Sequence, residues 1–207
     1  MIVTGITELS KSRSRIEIDY AFAFVLYKGE LRIYKIVEGC ELSEETYYEI
    51  THKILPKRAK LRAMNLLKQR SYTEYTLSEK LRQGGYPEQV IQEAIEFVKQ
   101  FHYIDDRQYA LDYIEYNREK KSRNRIMQEL HRKGIDDLLM QETWDEIVGN
   151  GTKELEKEQM LYWIKKRQFD AETADFKEKQ KMMAFLYRKG FKVEDIRSVL
   201  LLDITSI

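Results

Sequence analysis

The sequence predicts a mainly α-helical protein, in which tandem three-helix, helix-turn-helix-like repeats form an elongated body behind a small N-terminal β segment. Three observations carry this expectation. Proline occurs only twice in 207 residues, while Leu, Glu, Lys, Gln and Arg, all good helix formers, abound. A glycine-containing helix stop recurs three times, and runs of β-branched and aromatic residues are confined to the first 38 positions.

Residues 1–56 come first. Ile2, Val3 and Ile6, then Ile16 and Ile18, then FAFVLYKGELRIYKIV carry the β signal. Lys28-Gly29 lies between two β-branched and aromatic runs and reads as a hairpin turn, so a small antiparallel sheet is expected. In LSEETYYEITHKIL, Ser43 is placed to cap a helix, Glu44 and Glu45 favour its dipole, and Pro56 is expected to close it.

From Lys57 onward the apolar period is helical. Val90, Ile91, Ala94, Ile95 and Val98 fall on one face, as do Tyr109, Ala110, Tyr113 and Ile114, and later Met140, Trp144, Ile147 and Val148. LSEKLRQGGY (77–86), IMQELHRKGI (126–135) and MMAFLYRKGF (182–191) share one pattern. An apolar residue (Leu77, Ile126, Met182) is followed four positions later by Leu81, Leu130 or Leu186, then by Gly85, Gly134 or Gly190, and at once by Tyr86, Ile135 or Phe191. Such spacing suits a helix that ends on a left-handed residue, with an apolar residue folding back onto its last turn. Pro87 is expected at the first position of the following helix. A further apolar helix precedes each pair, which gives three-helix repeats at 57–104, 105–150 and 151–207. In HYIDDRQYA, Asp105 and Asp106 then mark a seam between repeats, as N-cap and first-turn charge.

Several kinds of chemistry lack their residues. One cysteine, Cys40, and three histidines give neither a disulfide nor a zinc set, and they point to a reducing, cytoplasmic compartment without metal or cofactor. No apolar run approaches the roughly 20 residues of a membrane span. Gly84-Gly85 follows a helix instead of joining a strand to one, so capping explains it better than phosphate binding. Trp144 and Trp163 fall in apolar stripes and are assigned to the core. No residue group supports an enzyme.

Charge is informative only by its distribution, since 36 Lys+Arg nearly cancel 35 Asp+Glu. Basic clusters recur at 57–70, 118–133 and 177–192, whereas the third helices are acid-rich, which would set a basic stripe along one side of the stacked repeats. Arg125 and Arg132 share a helix face, and Lys181 and Arg188 repeat the pair in register, where the first repeat has Thr76 and Gln83. The recurrence suits a polyanion or an acidic protein groove.

RAMNLLKQRSYTEYTLSEKLRQGGY, FHYIDDRQYALDYI and IMQELHRKGI resemble the RecX family of regulatory proteins of the RecA recombinase. The resemblance is densest over residues 58–148 and rests, further on, mainly on FLYRKGF. It implies tandem three-helix repeats and a non-enzymatic modulator that lies along the groove of the RecA–DNA filament and alters filament extension, ATP hydrolysis and strand exchange. By analogy, contacts are expected at Arg70 of QRSY, Arg107 of IDDRQYA, and Arg118, Lys121, Arg123, Arg125, Arg132 and Lys133, with Lys181 and Arg188 added by register. The competing reading is a helical repeat acting directly on single-stranded DNA, for which basic clusters alone suffice. Stacked repeats with capped ends permit a monomer.

Overall fold

The computed structural model describes residues 1–200. The chain divides into one compact unit ending at Asp105 and a second beginning at Asp106.

The first unit opens with an antiparallel sheet of β1 (Val3–Ser10), β2 (Arg13–Ile18) and β3 (Ala21–Tyr27), in that order. Ser14, Ile16 and Ile18 alternate inward on β2, while Arg15 and Glu17 pair on the outer face at 3.2 Å. Ile16 faces Ile6 on one side and Phe24 on the other. The tight turn between β2 and β3 is Asp19-Tyr20, with φ of +48° and +64°. Lys28-Gly29 is therefore not a hairpin turn: Lys28–Ile33 is helix α1. Glu30, at the third helical position, accepts the Tyr27 N–H at 2.6 Å and the Arg58 guanidinium at 2.7 Å, so a cap and a tertiary ion pair override the β propensity of LRIYKIV.

Ser43 caps α2 (Glu44–Glu49), accepting the Thr46 N–H at 3.1 Å. Pro56 does not end this helix. One π-helical stretch, Ile50–Ile54, leads into α3 (Leu55–Leu67), and the Leu55 N–H bonds the carbonyl of Ile50. The wider turn accommodates a proline ring that would clash in a regular helix and needs no amide hydrogen from it. α4 (Glu74–Gln83) and α5 (Glu88–Gln100) complete the first repeat, with Pro87 as the N-cap of α5, one position earlier than expected. A single apolar core runs from Val3, Phe24 and Leu26 of the sheet to Leu77, Ile91 and Val98 of the helices.

The second unit holds α6 (Asp106–Asn117), α7 (Arg123–His131) and α8 (Asp137–Ile147), then a short 3-10 turn at Gly149–Gly151. α9 (Thr152–Lys166), α10 (Phe176–Arg188) and α11 (Val193–Val199) follow. Each trio has its own core, one around Ile114, Ile126, Leu130 and Trp144, the other around Met160, Met182, Leu186 and Phe191. The expected end of the third repeat at residue 207 lies outside the described residues.

All three motif glycines are left-handed, with φ of +81°, +80° and +95° at Gly85, Gly134 and Gly190. The N–H of the next residue returns to the carbonyl five positions back, as in Ile135 to Leu130 and Phe191 to Leu186, both at 3.3 Å. The same stop is built without glycine at Lys35, His102 and Gln168, with φ of +53°, +53° and +52°. There Ile36, Tyr103 and Phe169 donate to Leu31, Val98 and Ile164 at 2.9 to 3.1 Å. Because a side chain is penalised in this region, Gln168→Gly is expected to stabilise the protein by roughly 0.5–1 kcal/mol, read as a raised Tm.

Candidate cationic interface

The junction between the second and third repeats begins with α6 ending at buried Asn117, whose carbonyl accepts the Lys120 and Lys121 N–H groups at 2.9 and 3.0 Å. Ser122 then caps α7 and donates its hydroxyl to the Lys189 carbonyl at 2.9 Å, while Asn124 donates to the Gly190 carbonyl at 3.1 Å. From below, Glu156 of α9 accepts the Arg123 N–H at 2.9 Å, and Gln159 donates to the Lys121 carbonyl at 3.1 Å. Both side chains are buried. Gly190 is required twice over, since a Cβ there would lie 2.5 Å from the Ser122 hydroxyl.

Burial raises the Glu156 carboxyl above its ordinary range; the Arg123 N–H pulls it back and Asp195 adds to the rise. A raised folded-state pKa favours the fold fully below the unfolded value and loses that contribution as pH climbs through the folded one. Glu156→Gln, which keeps the acceptor and drops the charge, is therefore expected to match or exceed the wild type in stability at pH 7, with the difference vanishing below about pH 4. Glu156→Ala strands the Arg123 N–H and should cost about 1–3 kcal/mol. Thermal melts of the three proteins across pH decide between these outcomes.

Onto this junction the sequence places its cations. Glu129 accepts Lys121 at 2.6 Å, Arg125 at 2.9 Å and the Tyr113 hydroxyl at 2.5 Å. Burial would raise the Glu129 carboxyl, but its bonds to Lys121 and Tyr113 and the charge of Arg125 hold it below the ordinary range. Burial would likewise lower the Lys121 ammonium, but the bonds to Glu129 and Tyr113 hold it above. Both groups stay ionised at neutral pH. Across the cleft, Lys189 lies 4.1 Å from the Trp163 ring centre, and exposed Arg188 has no side-chain partner among the described residues.

The resulting cleft, about 470 Å3, is lined by Lys120, Lys121, Arg125, Arg188 and Lys189 against the single carboxylate of Glu129, with Trp163, Phe185 and Phe191 as its apolar wall. A second depression of about 770 Å3 beside Tyr187 and Lys192 shares Arg125 and Arg188. Those two arginines thus border both hollows.

Of the expected contact residues, Lys121, Arg125 and Arg188 come together here; the rest line neither hollow. Arg70, in the first unit, stacks on Tyr72 at 4.6 Å. Arg107 pairs with Glu146 at 2.5 Å and Arg118 with Glu115 at 3.1 Å. Arg123 lies over Trp144, Lys133 over Tyr109 and Tyr113, and Arg132 is exposed. Lys181 is exposed in a separate depression alongside Asp170 and Glu178. Lys120 and Lys189 fall in the basic clusters read from the sequence but not among the expected contacts, Phe185 is not singled out there, and Trp163, assigned to the core, packs at its edge. Trp144 is indeed fully buried, with its indole N–H on Thr152 at 2.9 Å. Trp163 is only half-buried, because one edge packs on Phe185 while the charged end of Lys189 covers it. The position of Lys189, next to Gly190 in the stop motif, was the available signal.

Among the described residues no group of three His, Cys, Asp or Glu could hold a metal, and no helix is long and apolar enough to cross a membrane. Fold and cleft define a tandem three-helix-repeat protein that presents cations and aromatic rings on one repeat junction. Family models for the first, second and third three-helix domains of RecX match residues 59–97, 105–143 and 154–200. Regulatory protein RecX of Caldanaerobacter subterraneus subsp. tengcongensis is 30% identical over 202 residues, 97% of this chain and 98% of that protein. Regulatory protein RecX of Clostridioides difficile is 30% identical over 204 residues, 96% and 94% of the two chains. The crystal structure of a regulatory protein RecX superposes with a TM-score of 0.60 at 22% identity, covering 98% of this chain and 99% of that one. RecX from Lactobacillus salivarius gives 0.58 at 21% identity, over 72% and 96%. The chain belongs to the RecX family.

Proposed function

We propose that this chain is a cytoplasmic, cofactor-free regulator of RecA, mainly negative, that binds the RecA–DNA filament along its groove as a monomer. Binding alters filament extension, ATP hydrolysis and strand exchange. Family membership supports the reading, and the observation that carries it to residues is the junction cleft, where five cations face one carboxylate. Such a surface suits a partner that displays acidic protein groups and a nucleic-acid backbone side by side. The other expected contacts, Arg70, Arg107, Arg118, Arg123, Arg132, Lys133 and Lys181, are then secondary positions along the same interaction.

Co-sedimentation tests this directly. With RecA filaments assembled on single-stranded DNA and a non-hydrolysable nucleotide, the chain is expected in the pellet at a saturating ratio below one per RecA protomer. Recovery on bare DNA without RecA that equals recovery on filaments and is lost with Arg125→Glu/Arg188→Glu would favour the second reading, direct single-strand binding through this cleft, for which the half-buried Trp163 beside Lys189 is the specific motive.

A further inference from the structure

The first unit carries a cationic groove of its own. It lies between the β1–β2 turn, the end of β3 and helices α3 and α4, measures about 450 Å3, and is lined by Arg13, Arg58, Arg62, Lys80, Tyr27 and Tyr86 without a single carboxylate. Arg58 is committed inward, to Glu30 at 2.7 Å and to the Val25 carbonyl at 2.5 Å. Arg13, Arg62 and Lys80 have no carboxylate partner among the described residues.

Some other cations of this unit are neutralised: Lys28 rests on Glu8 at 3.0 Å, Arg82 on Glu88 at 2.8 Å and Lys99 on Glu74 at 2.8 Å. Lys80 and Arg82 leave the same helix two residues apart, yet only Arg82 is paired with acids. Three uncompensated cations gathered in one concavity create a local positive potential strong enough to concentrate an anion. At the rim, the Tyr27 ring is 41% exposed and is held by the Arg58 guanidinium 4.8 Å from its centre. An exposed aromatic ring beside cations that no carboxylate neutralises, of which Lys80 bonds the Gln83 amide oxygen at 3.2 Å, is what a base and its phosphates need together, whereas an acidic peptide would use only the charges.

We infer that this groove binds a single nucleic-acid strand, with Arg13, Arg62 and Lys80 on successive phosphates and Tyr27 stacking on a base. The N-terminal sheet then acts in strand binding as well as in the core. The inference stands apart from the RecA reading, because its test contains no RecA.

Anisotropy of a labelled oligo-deoxythymidylate, titrated with the full chain over a salt series, provides that test. For Arg62→Gln/Lys80→Gln, the slope of log affinity against log salt is expected to fall by about 1.4, two phosphate contacts' worth for a single strand. Tyr27→Leu should weaken binding roughly fivefold or more with the slope unchanged. Circular dichroism melts confirm that these exposed substitutions leave the fold intact. In the unsubstituted chain, an iodouracil strand should photo-crosslink within the peptide that contains Tyr27. Unchanged affinity and slope in the double variant, crosslinks confined to residues beyond Asp105, or displacement of the strand by an equal charge of polyglutamate would each overturn the inference.

Discussion

Gly85→Ala is expected to destabilise the first unit by roughly 2–4 kcal/mol. Two independent costs meet at this position. With φ at +81°, any side chain is strained by about 1–2 kcal/mol. A Cβ would also lie 2.2 Å from the Cγ2 of Val25, on a β3 strand whose Phe24, Val25 and Leu26 are all buried, so neither partner has room to move. The turn that ends α4 is thus also the contact by which the first repeat closes on the sheet. Urea unfolding followed by circular dichroism should show the loss as a lower midpoint with the slope preserved, and Val25→Ala in the same chain should restore part of it. A cost below about 1 kcal/mol would mean that the turn is not held against β3 as described.

Reversing Arg125 and Arg188 together is expected to raise the concentration of this protein needed for half-maximal regulation of RecA by about 10–100-fold. Both arginines border both hollows of the repeat junction, and like charges placed against an acidic partner cost several kcal/mol, each 1.4 kcal/mol being a factor of ten. Both side chains are exposed, but Arg125→Glu also replaces the ion pair with Glu129 by a like-charge contact, so a loss of fold stability of about 1 kcal/mol is expected and is read from thermal melts. Lys181→Glu alters charge in a separate depression and controls for bulk electrostatics. If that control and the double reversal weaken regulation equally, the cleft has no special role.

What the sequence disclosed depended on which residues can do only one job. Glycine at a left-handed helix end is such a residue, and Gly85, Gly134 and Gly190 make the repeat readable in the sequence alone. His102 and Gln168 perform the same turn with side chains that do not announce a left-handed conformation, so their stops leave no mark in the pattern. The helix at Lys28–Ile33 was hidden for a related reason: LRIYKIV has β propensity, and only the distant Arg58, ion-paired to Glu30, reveals why it coils. Pro56 misled because its usual effect is cancelled by the π turn before it.

For the candidate site, periodicity placed Arg125 and Arg188 on equivalent faces, and the structure brings them to one cleft. It could not foresee that Glu156 and Gln159, inside the highly charged TKELEKEQ, are buried by the docking of KKSRNR. Nor could it separate the cations pinned by Glu129 and Glu146 from Arg188, since that distinction lies in side-chain geometry.

Single-strand-dependent ATP hydrolysis by the RecA of the same organism, with this chain titrated in, tests the central claim most directly. A rate that falls well before one copy per RecA protomer, and that falls far less with the Arg125→Glu/Arg188→Glu variant, is the predicted result. A rate that falls only when enough protein is present to coat the DNA would contradict it, and would assign the effect to competition for the strand.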